Sequence, residues 1–128
     1  MSLTVPPELI EQAEKGKVDE QAFVDCVRDS LPYAWSVVTR LVDELHGTGA
    51  RATYNEIAPP DQAGYGQLFR MLASTSIRGA MERHFGVQLA FQNCCKVAAF
   101  RPDATAEYAE FITLEAQILN QKPELIDC

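Results

Sequence analysis

The chain is short of long apolar runs, basic residues and histidine. No window of its 128 residues reaches the roughly 18 uncharged apolar positions that a membrane helix needs. The opening residues, MSLTVPPELIEQ, lack a basic region and an apolar stretch, so they do not read as a secretory signal. A cytoplasmic protein with reduced thiols is expected. Lysine and arginine number 11 against 18 aspartates and glutamates, giving a formal charge of −7. Nucleic acid and anionic membranes are therefore poor partners, because both reward positive charge. No Walker loop, dinucleotide fingerprint, nucleophile elbow or HExxH occurs. No cofactor is expected.

Four cysteines are present: Cys26, Cys94, Cys95 and Cys128. Zinc ligands usually come as pairs two to four residues apart, with a second pair or histidines to match. Here two cysteines are adjacent and neither His46 nor His84 is close in sequence. No metal site is expected. The run FQNCCKVAAF reads instead as a buried element, with Cys95 a small hydrophobe beside Phe91 and Val97. On a strand, Cys94 would point to the other face. Cys128 ends the given sequence beside carboxylates, which should raise its thiol pKa and weaken it as a nucleophile.

Apolar residues make up 47% of the chain, enough for the core of a single domain over residues 1–128. The expected fold is mainly α, a small bundle of four to five helices with a short β element at 87–100, paired as a homodimer. The first helix begins at VPPELIEQ and stops at Gly16. Phe23, Val27, Leu31, Ala34, Trp35, Val38, Leu41, Val42 and Leu45 step by threes and fours along one face. Asp19 caps this stretch, Gly47 ends it, and Pro32 forces a kink or a one-residue break near Ser30. A glycine- and proline-rich connector follows, in which ARATYNEI is a candidate edge strand. From Asp61 a third helix runs to about Phe85 on Leu68, Phe69, Leu72, Ile77, Ala80, Met81 and Phe85, with Gly86 as its stop. Residues 87–100 alternate like a strand, although Phe91, Cys94, Cys95 and Ala98 also fit a helical face. A strand there needs a partner: ARATYNEI, its own second half, or the same strand of another subunit. A final helix, capped by Asp103 or Thr105, carries Tyr108, Phe111, Ile112, Ile118 and Leu119 as its stripe.

Candidate binding residues are few. Tyr33 and Trp35 flank a proline-induced break and could line a peptide groove, although core packing serves Trp35 as well. Arg70, Arg83 and His84 lie on the third helix, and Gln92 and Asn93 bring amides into an apolar run. A buried amide must find hydrogen bonds, within the fold or from a ligand. His46 and His84 lie near helix C-termini, where a cationic ring is favoured.

At FVDCVRDSLPYAW, HFGVQLAFQNC and LNQKPELIDC the chain resembles a family of small uncharacterised actinomycete proteins. In size and helical character it is also similar, more weakly, to the proteins that form the lysinoalanine cross-link of cinnamycin- and duramycin-type lanthipeptides. That second resemblance implies a maturation protein that binds the modified peptide and promotes addition of a lysine amine to dehydroalanine. Dehydroalanine is already electrophilic, so holding the two groups together would suffice without a metal or covalent nucleophile. Tyr33, Trp35, Arg70, Arg83, His84, Gln92 and Asn93 are the expected substrate contacts. The alternative is a non-enzymatic cytoplasmic interaction module. A thiol redox sensor using Cys94 and Cys128 is a third reading.

Overall fold

A computed structural model describes residues 3–92 and 96–120. Seven helices and three strands lie among them. Helix α1 (Pro7–Glu14) leads through Gly16, whose φ of 74° is left-handed, to α2 (Glu20–Ser30). The Asp19 side chain accepts from Ala22 N–H and starts α2 as expected. Leu31 alone leaves the helical conformation before α3 (Pro32–Thr48), so Pro32 produces a one-residue break. Ser30 does not cap the new helix; its Oγ accepts from Thr4 N–H at 2.9 Å. Helix α3 runs past Gly47 and ends at Gly49, whose φ is 70°. Strand β1 (Ala52–Asn55) follows.

The single helix expected over 61–85 is two: α4 (Gln62–Ala73) and α5 (Thr75–Phe85). Ser74 is extended, with ψ 122°, and its side chain accepts from Ile77 N–H, so it starts a new helix rather than continuing the old one. Gly86, at φ 67°, closes α5. Strands β2 (Gln88–Gln92) and β3 (Lys96–Phe100) confirm the strand reading of 87–100. The last helix is also divided, into α6 (Thr105–Phe111) and α7 (Leu114–Leu119), because Thr113 is extended and caps Ala116 N–H. The N-cap of α6 is Ala104 without a side-chain bond, not Asp103 or Thr105.

Strand β3 lies between β1 and β2 in an antiparallel sheet. The expected partners are therefore both found inside the chain: Tyr54 opposes Ala98 on one side and Ala90 opposes it on the other. Alternation then sorts the strand side chains. Val97, Ala99 and Leu89 join the larger core with Leu41, Leu45, Leu68, Met71, Leu72 and Met81 of the helices. Ala98, Phe100 and Ala90 face the other way, onto Ala104 and Phe111 at the two ends of α6. The molecule thus has helices α3–α5 over one sheet face and α6 over the other.

Phe100 is fully buried, with the Tyr108 and Phe111 rings at 5.6 Å and Tyr54 at 6.2 Å. Phe100→Ala should lower stability by about 3–5 kcal/mol, read from urea denaturation. Helix α6 is also pinned by Arg51, whose Nε donates to Glu107 at 2.6 Å and whose Nη2 donates to the Asp103 carbonyl at 2.9 Å. The hydrogen bond from Arg51 is the main cause holding the Glu107 carboxyl below its ordinary pKa. A depressed carboxyl stabilises the fold above its unfolded pKa, about 4.3, and loses that contribution as pH falls through the folded value. Arg51→Ala should therefore flatten the acid limb of the stability–pH curve between pH 5 and about 3, measured by urea titration at each pH.

Candidate functional site

The proline that begins α3 leaves the next amides in need of an acceptor. A side chain from α4 supplies it: Gln67 Oε1 accepts from Tyr33 N–H at 2.8 Å and Ala34 N–H at 3.3 Å. This contact draws α3 and α4 together and sets Tyr33 against Gly64. A methyl group at Gly64 would meet the Tyr33 ring at 3.3 Å and Pro60 Cδ at 3.2 Å, so a larger residue there would have to push these groups back by a few tenths of an ångström. Tyr33 is half-buried in this seam.

One turn along α3, half-buried Trp35 meets two rings of α5: Phe85 at 5.1 Å and exposed His84 at 5.7 Å. Arg83, on the outer side of α5, donates from Nε to Glu20 at 2.6 Å and ties α5 to α2. Trp35 and His84 therefore meet in one cluster of tilted and edge-on rings with Phe85, whereas Arg83 is paired with a carboxylate of α2.

Arg70 belongs elsewhere. The break at Ser74 turns the chain sharply and opens a groove of about 540 Å³ lined by Leu3, Phe69, Arg70, Ala73, Ser74 and Ile77. Its floor is apolar and Phe69 is 53% exposed. Phe69 was expected in the core stripe; with the helix ending at Ala73 it faces outward. Arg70 donates to the Gly66 carbonyl of its own helix at 3.2 Å and, among the described residues, makes no salt bridge. Arg78, by contrast, is spent on the Leu72 carbonyl at 2.6 Å, closing the open end of α4.

Gln92 is buried and turned away from that groove. Its Nε2 donates to the Phe111 carbonyl at 2.6 Å, holding the C-terminal end of α6 against β2. It also lines a small cavity of about 160 Å³ beside Phe111 and Thr113. Asn93, Cys94, Cys95 and Cys128 lie outside the described residues. Cys26 is buried, its thiol directed at the Thr4 carbonyl at 3.4 Å. His46 is exposed in the last turn of α3.

The expected contacts thus fall in separate places: Tyr33 in the α3–α4 seam, Trp35, Arg83 and His84 on the α3–α5 side, Arg70 in the groove at Ser74, and Gln92 under α6. Leu3, Ala73 and Ile77, which complete the groove, were not singled out from the sequence. Their signal was the run Ser74-Thr75-Ser76, a cluster of capping residues inside an apparently continuous helix. Among the described residues no group of three His, Cys, Asp or Glu side chains is placed to hold a metal ion, and no helix is long and apolar enough to cross a membrane.

The arrangement is an apolar slot with the Arg70 guanidinium at its rim. Its lining residues are apolar apart from Arg70 and Ser74. A family model named KH_NucS_shadow, described as NucS shadow ORF, matches residues 1–128, and the chain belongs to that family. No curated protein and no solved structure matches the chain. Nothing in the match concerns lanthipeptide maturation.

The Gln67 contact can be tested alone. Gln67→Ala leaves Tyr33 N–H and Ala34 N–H without their acceptor and should destabilise the fold by about 1–2 kcal/mol, measured by thermal or urea denaturation. Gln67→Glu, which keeps an acceptor at the helix N-terminus, should lose less.

Proposed function

We propose that the chain is a non-catalytic interaction module, and that the groove between α4 and α5 takes an apolar, carboxylate-bearing segment of a partner protein. The observation that carries this is the pairing of an apolar floor, exposed Phe69 and Ala73 with half-buried Ile77, with an arginine that has no carboxylate partner among the described residues. Arg70 reaches only a carbonyl of its own helix, and an acidic ligand would supply it with a carboxylate. Aromatic and arginine side chains are also the types that most often dominate binding energy.

The family name invites a nucleic-acid reading, because a KH module clamps four nucleotides of backbone through a Gly-x-x-Gly loop. Yet no two glycines in this sequence stand three positions apart, and α4 and α5 are joined by Ser74 alone. The negative charge further opposes phosphate contact. Those two features favour a partner that is protein, on a scaffold lacking the phosphate clamp.

Lysinoalanine closure remains a proposal resting on likeness in size and helical character. Incubating the chain with a dehydrated, uncyclised lanthipeptide precursor tests it, since closure above the buffer rate would be seen only if the substrate is positioned here.

The groove reading is tested with a fluorescent helical peptide bearing leucines and one glutamate on a single face. Anisotropy titration should show saturable binding that Phe69→Asp and Arg70→Glu each weaken at least about tenfold. A single-stranded oligonucleotide should not bind at low salt. Equal peptide affinity in all three proteins, or oligonucleotide binding that Arg70→Glu abolishes, would reject the proposal.

A further inference from the structure

Helix α7 is inside out. Successive residues on a helix are about 100° apart, so Leu114, Glu115, Ile118 and Leu119 share one face about 140° wide. All four are exposed: Leu114 by 79%, Ile118 by 65% and Leu119 by 59%, with neighbouring Ile112 at 57%. The opposite positions, Thr113, Ala116, Gln117 and Asn120, are the half-buried ones. A helix of an isolated globular domain normally does the reverse. An apolar face of this kind marks a surface that is covered in use.

Its chemistry matches the groove. The face presents three large aliphatic side chains with a single carboxylate, Glu115, set among them. The groove presents an apolar floor with a single arginine, Arg70, that lacks a carboxylate partner among the described residues. We propose that the segment received by the α4–α5 groove is helix α7 of a second copy of this chain, exchanged reciprocally so that each Glu115 meets the other copy's Arg70. This rests on the groove reading above and names its occupant.

Reciprocal exchange closes: the same two patches meet twice about a two-fold axis, and no patch is left to recruit a third copy. Pairing through the sheet is the competing route to a dimer, and the β2 edge carries an obstacle to it. On the outer edge of β2, Leu89 N–H is already occupied by the Glu82 carboxylate at 2.9 Å. Helix-in-groove docking needs no backbone donors from the receiving surface.

The test is sedimentation equilibrium of the full chain and its charge variants. The wild-type chain should be a dimer. Arg70→Glu, at a half-buried position, and Glu115→Arg, at an exposed one, should each raise the dimer dissociation constant at least about tenfold while circular dichroism stays unchanged. The double variant Arg70→Glu/Glu115→Arg should restore the dimer, because the reversed pair again attracts. A wild-type monomer at all concentrations, or a dimer that neither single variant weakens, overturns the exchange. The peptide titration of the preceding subsection, repeated on Ile118→Asp, separates the two claims. Peptide bound by a monomer leaves the groove reading standing and removes only the exchange. A monomer that binds no peptide removes both.

Discussion

The whole arrangement depends on β3 being buried on both faces and bonded at both edges. Lys96–Phe100 pairs with β1 and β2, so its backbone groups are satisfied within the chain. Its side chains alternate between two cores, Val97 and Ala99 toward α3–α5 and Ala98 and Phe100 toward α6. Small residues at 98 and 99 let helical layers lie close on both sides. Remove this strand and neither core has a floor. It also fixes which end of the molecule carries the groove, because α4 and α5 are the connection between its two neighbours.

From that constraint the surface chemistry follows. The Ser74 break folds α5 back beside α4 and leaves Phe69 on an open flank, with Ile77 half-buried at its side, rather than in a continuous helix stripe. On the other side, Gln92 and Arg51 secure α6 at its two ends, and the chain then turns at Thr113. Helix α7 continues from there with its polar side toward the body and its aliphatic side outward. Beside a groove of about 470 Å³ at Val5, Leu9, Ile10 and Val18, two apolar features of opposite charge are left uncovered among the described residues: a concave one with a cation and a convex one with a carboxylate. Neither is explained by the stability of the subunit, since exposing large aliphatic side chains forgoes roughly 1.5–3 kcal/mol each. A complementary partner explains both.

Much of the architecture was legible because it is written in local chemistry. Asp19 and Asp61 before their helices, Gly86 after α5, the one-residue break at Pro32 and the alternation around Phe91 and Val97 all act within a few residues. The helix count was underestimated because Ser74 and Thr113 do not look like breakers: each ends one helix and starts the next through a side-chain oxygen, while apolar spacing runs on across the break. The same continuity made Phe69, Ile118 and Leu119 look like core residues. Burial depends on which side of a helix meets the rest of the fold, and spacing alone fixes only that the residues share a side. The candidate site was legible in part for that reason. Arg70 was picked out by its charge, whereas Leu3 and Ile77 reach the groove only through tertiary folding, and Gln92 proved to be a strut for α6.

The most direct measurement of the central claim, that the uncovered groove and the outward face of α7 exist for contact, is amide hydrogen exchange of the full chain across a wide concentration range. Slower exchange in residues 69–77 and 112–119 together at high concentration, with β3 unchanged, is the result this account predicts. Exchange that is independent of concentration in both segments, on a chain that also fails to slow there when an acidic amphipathic peptide is added, would contradict it.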